Sequence, residues 1–469
     1  MGYASAQRTL GRVRVQARRF LKQHDHLFTR RPDGRLRTRH ARTWKAASHY
    51  FDGLLAPGSS KNMRSIARHE GINEDQVERF VRESPWEADE VQQHLVEHVP
   101  PSIQSPNAVI VVDDYGLVKQ GRHSVGVQRQ YSGTRGKADN CQVAVNVTYA
   151  QPGVKKNADQ ATWPLGTRLY LPQPWVEDPE FAELREEVRL PPNTRFLTKL
   201  ELAREMLDRV YDAGIPHRVT TADAAYGRDS SLRRHLRLRG EPYVMALGPT
   251  WPKFIRSDAV VNPPGSDGMA RWHYPHADWD EPRLTPPQWA DRVTTWKRVT
   301  WGQGTKGPLT ARFARVHVRG LDPHPKHARV TDEVGWLLLE QRGKKLIVYL
   351  CWGLDDCTLE ELVAYAHLRW TIEQFHREAK GLIGLDRFEG RTWNGWNHHV
   401  ALVLLAYAFL SQQRAKTRTR RPPLSHVASA LVREKSAQAL LDESPMKFTR
   451  DQARESAHIV LRRAISWYR

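Results

Sequence analysis

The period of apolar and polar positions changes several times along the 469 residues. From Tyr50 to about Trp86 apolar residues recur at helical spacing. In SIARHEGINEDQVERFVRE, Ile66, Ala67, Ile72, Val77 and Phe80 fall at helix-compatible positions around Gly71. This predicts two short helices in helix-turn-helix spacing, with Asn73 placed to cap the second. Many helical hairpins share that spacing, so it does not by itself assign a DNA-reading role. The break Val99-Pro100-Pro101-Ser102 closes the region. AVIVVDD then reads as a short buried strand ending in two acids, Asp113 and Asp114. A loop rich in Gly and basic residues follows, and CQVAVNVTYA, from Cys141 to Ala150, reads as the next strand. A helix is predicted from about Thr198 to Ala213, then a strand, HRVTTAD, running into Asp223. Another helix over Ser230 to Arg239 and the strand PYVMAL complete an alternating α/β pattern. Carboxylates therefore stand at the ends of two buried strands.

From about Gly248 to Asp355 helical periodicity disappears. Trp251, Trp272, Trp279, Trp289, Trp296, Trp301, Trp336 and Trp352 are scattered among Pro and Gly, and WKRVTW, ARFARVHVRG, GWLLLEQ and KKLIVYLCW read as strands. Helices return at Leu359. The pattern divides the chain into a helical N-terminal region (1–100), an α/β core in two parts (101–247 and 356–412), a β-rich insertion (248–355) and a basic helical C-terminal region (413–469). About two to four domains fit this length.

Charge changes the picture most. Lys plus Arg is 72 against 52 Asp plus Glu, a formal net charge of +20. A surface this positive favours a polyanionic partner, because neutralising phosphates releases condensed counterions. Residues 1 to about 45 hold only Asp25 and Asp33 as acids, which reads as a DNA-touching arm or a solvated helix. RAKTRTRRPP, 414–423, is a second basic run. The three cysteines, Cys141, Cys351 and Cys357, show neither metal-ligand nor disulfide spacing and read as reduced. The longest apolar stretch, Val400 to Leu410, is too short to span a bilayer. With no apolar signal segment in view, a cytoplasmic, nucleoid-associated protein with no membrane partner is expected.

A lone acid at a strand end is usually a turn or cap residue. Two in one α/β unit are more telling when a third is available, and Glu373 in HLRWTIEQFHREAKGLIGLD is that candidate. Its segment is amphipathic at helical period, and Arg369, Glu373, Arg377 and Lys380 share one face at spacings of four, four and three. The same spacing also reads as a surface ion-pair ladder. Three converging carboxylates repel one another and raise their pKa values unless a cation joins them. Two divalent ions, Mg²⁺ or Mn²⁺, resolve that conflict through hard oxygen ligands. Held roughly 4 Å apart, such a pair activates an attacking oxygen and stabilises the leaving oxygen of a phosphodiester. Arg369 and Lys380 would then hold flanking phosphates rather than pair with Glu373.

Four stretches carry a resemblance: VVDDYGLVKQGRHSVGVQRQYSGTRGKADNCQVAV at 111–145, TADAAYG at 221–227, RWTIEQFHREAKGLIGLDRFEGRTW at 369–393 and GWNHHVALVLLAYAFL at 395–410. Together with NMRSIARHEG they make the chain similar to the DDE transposases of bacterial insertion sequences, in the cut-and-paste branch with a β-strand insertion between the second Asp and the Glu. The resemblance implies an RNase H-like core with Asp113, Asp223 and Glu373 as catalytic metal ligands, Asp113 being preferred over Asp114. The branch signature Y-x2-R-x3-E-x6-K is matched by Arg369, Glu373 and Lys380, but Ala366 stands at the Tyr position, with Tyr365 one residue away. DNA-binding candidates are Arg369, Lys380, Trp370, Lys119, Arg129 and Arg377; Trp370 suits either base stacking or a core. The implied partners are double-stranded DNA (terminal inverted repeats and target) and a second copy in a homodimeric synaptic complex. Trp296, Trp301 and Trp336, interleaved with cations, are candidates to stack on an unpaired base at a cleaved end, against the plainer role of β-core. The alternatives are another RNase H-like nuclease, such as a resolvase, and a domesticated DNA-binding protein without activity.

Overall fold

The computed structural model describes the chain except residues 1–2, 57–59, 133–135, 153–160, 249–251, 265–273, 279, 305–306, 323–328 and 418–469. Trp251, Trp272, Trp279 and nearly all of the expected C-terminal basic region lie outside the described residues. The chain divides into two compact units, one from Met1–Val91 with Ala379–Arg469, the other Gln92–Glu378. No helix among the described residues is long and apolar enough to cross a membrane.

The first unit is helical. Helix Met63–Glu70 starts at Asn62, whose side chain accepts from the Ser65 N–H, and stops at Gly71 in the left-handed conformation (φ 65°). Helix Glu74–Glu83 starts at Asn73, whose side chain accepts from the Asp75 N–H. Ile66, Val77 and Phe80 are buried, as the spacing predicts. Helix Trp393–Thr417 is buried on all sides from Val400 to Phe409, which explains its unbroken apolar run without any membrane. It packs against helices His40–Leu55 and Glu74–Glu83. Its two histidines anchor it: His399 Nδ1 meets the Tyr50 hydroxyl at 2.8 Å, and His398 stacks on Trp86 with ring centroids 3.9 Å apart. Burial pushes His398 down to about 4, with the carbonyls of Val81 and Trp86 working the other way.

The second unit is built on one large mixed sheet. Its strands are β1 (Val109–Val118), β2 (Gln128–Ser132), β3 (Lys137–Ala150), β4 (Thr162–Tyr170), β5 (Val219–Ala222), β6 (Tyr243–Leu247), β7 (Phe254–Arg256), β10 (Lys297–Gly304), β11 (Gly307–Asp322), β12 (Arg329–Arg342) and β13 (Lys345–Trp352). A separate small sheet pairs β8 (Val261–Asn262) with β9 (His276–Ala277). The large sheet runs β10-β11-β12-β13-β6-β5-β1-β3-β2, with β4 also on β3 and β7 on β11. β1, β5 and β6 are parallel, and β1–β3, β3–β4 and β6–β13 are antiparallel. Val109–Val112 and β5 are wholly buried, as expected for parallel strands covered on both faces. Helix Lys199–Asp212, closed by a capping box between Thr198 and Glu201, packs on β3 and β4. Helices Leu359–Leu368 and Trp370–Glu378 both pack against β1, the first reaching β5, β6, β10 and β11, the second β4.

The strands read from the Trp-rich stretch are all present, but they do not fold on themselves alone. β13 pairs with β6, so β10–β13 extend the central sheet at its edge. Adding strands to β6 removes an exposed edge that would otherwise invite pairing with another chain.

Candidate active site

β1 and β5 run parallel with Val112 beside Ala222. Asp113 follows Val112 on β1 and Asp223 follows Ala222 just past β5, so the two acids come from neighbouring positions of the strand pair. β5 ends there. Asp223 becomes the cap of the short helix Ala224–Gly227, its Oδ1 accepting the Ala225 N–H at 2.9 Å. β1 does not end at its acids, contrary to the sequence expectation. It continues to Val118, paired with β3 throughout, with Asp113 opposite Asn146 and Asp114 opposite Val145. The polar residues sit mid-strand because β3 supplies backbone partners along its whole length.

Successive strand side chains point to opposite faces. Asp114 Oδ2 pairs with Lys199 Nζ at 2.6 Å, at the start of helix Lys199–Asp212. Asp113 turns to Arg369: Nη1 donates to Asp113 Oδ2 at 2.9 Å, while Nη2 of the same guanidinium donates to Glu373 Oε1 at 2.7 Å. Arg369 and Glu373 are one helical turn apart, which makes the second contact local. Arg369 thus joins the first and third members of the predicted triad, and Asp223 is close enough for its charge to act on both Asp113 and Arg369. Side-chain exposure is 16% for Asp113, 28% for Arg369 and 52% for Glu373, so the group opens toward solvent on the Glu373 side.

Burial raises the Asp113 carboxyl to about 7, and the Asp223 charge adds to that; Arg369 and the Asp114 N–H oppose it. Burial works against the Arg369 charge, and Asp113, Glu373 and Asp223 together outweigh it. One guanidinium faces three carboxylates, so the site is short of positive charge. Among the described residues no three His, Cys, Asp or Glu side chains are grouped to hold a metal as they stand. The donor set itself, three carboxylates with a cation deficit, fits a hard divalent ion.

Of the other predicted residues, Trp370 is 45% exposed and stands beside this group in sequence. Arg377 is exposed one turn beyond Glu373, and Arg129 is exposed on β2. Lys119 is half-buried, its backbone N–H bonded to the Asn140 carbonyl. The α-helix carrying Glu373 ends at Glu378, and Lys380 falls in a π-helical turn, Ala379–Ile383, that belongs to the first unit. The straight helical phase used to align it with Glu373 therefore stops before it. The three singled-out tryptophans are half-buried, each with an arginine over its ring: Arg312 on Trp296 (5.7 Å), Arg342 on Trp301 (5.0 Å) and Arg315 on Trp336 (4.1 Å). Trp301 also stacks on His367 with centroids 3.9 Å apart and packs edge-on to Phe313, which is a core arrangement.

Sequence reasoning missed Lys199, whose partner lies 85 positions away, and His367, which reaches the buried Glu340. It also missed Tyr226, buried within reach of the Asp114, Asp113 and Asp223 charges. No local pattern marks the first two; the TADAAYG stretch holds Tyr226 in plain view, and only its neighbours in space give it meaning.

The family pattern of the DDE superfamily endonucleases matches residues 33–308, more than half of the chain. That stretch contains Asp113 and Asp223 and stops short of Glu373. The chain is also similar to the probable transposase for insertion sequence element IS701 of Microchaete diplosiphon, 26% identical over 187 residues. The alignment covers 40% of this chain and 44% of that relative, so less than half of the relative's length is matched. With the matched residues spanning β1, β5, Asp113 and Asp223, this chain belongs to the DDE superfamily endonucleases.

Proposed function

We propose that the chain is a transposase that cuts and joins DNA at the ends of an insertion sequence, with Asp113, Asp223 and Glu373 as its catalytic carboxylates. The observation that carries this reading is the meeting of β1, β5 and the Trp370–Glu378 helix. Asp113 on β1 is held by an arginine that also holds the helical acid, and Asp223, just past β5, is near enough for its charge to act on both. The order β4-β3-β1-β5-β6, antiparallel on one side of β1 and parallel on the other, supports an RNase H-like core with β10–β13 as its insertion.

Asp113, Asp223 and Glu373 would hold two Mg²⁺ or Mn²⁺ ions. When bound, such ions supply Lewis-acid activation of the attacking oxygen and neutralise charge on the leaving oxygen. The chain's own residues do the rest. The Asp223 cap and the Asp113–Asp114 backbone bond fix two carboxylates before any ligand arrives. Arg369 and Arg377 hold phosphates of the strand being cut, Lys119 and Arg129 hold the duplex further along, and Lys380 adds a DNA backbone contact from the first unit. Trp370 offers an exposed ring to a base near the cut. The net charge of +20 supplies the non-specific attraction to duplex DNA. In the first unit, the capped pair Met63–Glu70 and Glu74–Glu83 reads the terminal repeats, and two copies bring two ends together. In the cell the protein acts at the nucleoid.

The test is incubation of purified protein with duplexes carrying the element ends and Mg²⁺, resolving nicked, excised and joined products on a gel. Products that depend on the terminal repeats support transposition. Cleavage with no end preference and no joining would replace it with a plain nuclease.

A further inference from the structure

We infer that Arg369 competes with divalent metal for the catalytic carboxylates, and that DNA phosphate relieves the competition by drawing the guanidinium away. Metal loading and DNA binding are then coupled through one side chain. This rests on the reading of Asp113, Asp223 and Glu373 as metal ligands.

Arg369 holds one oxygen on each of two of the three proposed metal ligands. Asp113 Oδ1 already accepts the Asp114 N–H at 2.8 Å, which leaves Oδ2 as the atom free to face outward, and Arg369 Nη1 occupies it. Asp223 Oδ1 is likewise spent on its own cap. Glu373 has Oε1 on Arg369 Nη2. A divalent ion bound to Asp113 and Glu373 would face a full positive charge held on the same two atoms, and like charges at that separation repel strongly when partly buried. One of the two cations must give way. Lys199 offers no alternative neutralisation, since it is engaged by Asp114.

Arg369 is placed to be the one that moves. It precedes the Glu373 helix, its side chain is 28% exposed, and a change of its own rotamers carries the guanidinium toward solvent with no backbone movement. There its planar fork matches a phosphate as well as it matches two carboxylates. Without DNA, metal must displace Arg369 against two ion pairs. With DNA, the phosphate supplies the replacement partner. By linkage, whatever DNA contributes to metal affinity, metal contributes to DNA affinity. The device keeps an unengaged endonuclease poorly loaded.

The experiment is a titration of the full chain with Mn²⁺, read by calorimetry and by the Mn²⁺ spin-resonance signal, with and without a random-sequence duplex that offers phosphates but no element end to cleave. R369Q should bind Mn²⁺ about ten-fold more tightly than the wild type in the absence of DNA. Its metal-free melting temperature should fall and recover on adding Mn²⁺. The duplex should tighten Mn²⁺ binding to the wild type and leave R369Q unchanged. R369K, with a single charge unable to fork between two carboxylates, should lie between them and serves if R369Q does not fold. Equal or weaker Mn²⁺ binding by the folded variants overturns the competition. Adding D113N to R369Q separates the two layers: undiminished Mn²⁺ binding there would mean that Asp113 is not a ligand, and would remove the metal reading and the coupling together.

Discussion

Two carboxylate–arginine networks lie in the same unit, and they are balanced differently. Around Glu333 on β12, one acid meets two arginines of helix Ser230–Leu238. Arg233 donates through Nε to Oε1 (2.7 Å) and through Nη2 to Oε2 (3.2 Å), Arg237 donates to Oε1 at 2.8 Å, and the Tyr243 hydroxyl donates there as well. Side-chain exposure is 5–7% for all three charged groups. Around Asp113 the balance is lost, with three acids to one arginine and an opening toward solvent at Glu373. With Asp332 Oδ1 on Arg237 Nη2 at 2.9 Å, the first network sets two acids against two arginines. In the second, burial and the Asp223 charge outweigh Arg369 and raise the Asp113 carboxyl to about 7. Buried ion pairs cost desolvation and are strong only when every partner is present. A balanced cluster therefore holds a fold together, and a cation-poor one is built to receive something. The two are joined in the chain: Arg233 Nη1 also holds the Gly227 carbonyl, the last residue of the helix that Asp223 caps.

The sharpest way to break the comparison is to neutralise the cation-poor cluster. Asp113→Asn, Asp223→Asn or Glu373→Gln should each reduce strand cleavage by about three orders of magnitude or more. DNA affinity and the unfolding midpoint should stay close to wild type. Wild-type cleavage by any one of them removes that residue from the site. In the balanced cluster the same kind of change should act on stability. Glu333→Ala leaves the buried Arg233 without its acid and Arg237 with Asp332 alone, and should cost about 3–5 kcal/mol in denaturant unfolding. Cleavage should fall only in step with the folded fraction. A folded Glu333 variant with lost chemistry would show that the line between the clusters is drawn in the wrong place.

Smaller effects test the sheet extension. Trp301→Ala should cost about 1–3 kcal/mol of stability through its His367 stack. Trp296→Ala and Trp336→Ala should leave folding and first-strand nicking intact and slow excision by the equivalent of about 1–3 kcal/mol, if their rings stack on a displaced base. No change at any step from either would assign both to packing. The smallest effect is expected at Lys380. Lys380→Ala should lower the salt dependence of DNA binding by about one unit of slope, measured by titrating affinity against salt. An unchanged slope would remove it from the phosphate contacts.

What the sequence determined by itself is what short-range physics determines. Apolar runs gave β1, β3, β5, β6 and β10–β13, and Thr198 and Asn73 marked helix starts, because burial periodicity and capping are properties of a few neighbouring residues. It also gave the acids and Arg369 as candidates, since the spacing of Arg369 and Glu373 on one helix is a local fact. Tertiary structure decided the rest. It carried β1 past its acids, because the partner that extends it, β3, is supplied from further along the chain. It sent Asp114 to Lys199 and Asp113 to Arg369, a separation that alternation implies but only the packed helices can name. It added the Trp-rich strands to the edge of β6, where unpaired backbone groups needed partners, and gathered the chain's first 91 residues with the segment from Ala379 into one unit. Hydrogen-bond partners for strand edges and counter-charges for buried acids come from wherever the folded chain brings them, and contacts between distant residues leave no periodic trace in the sequence.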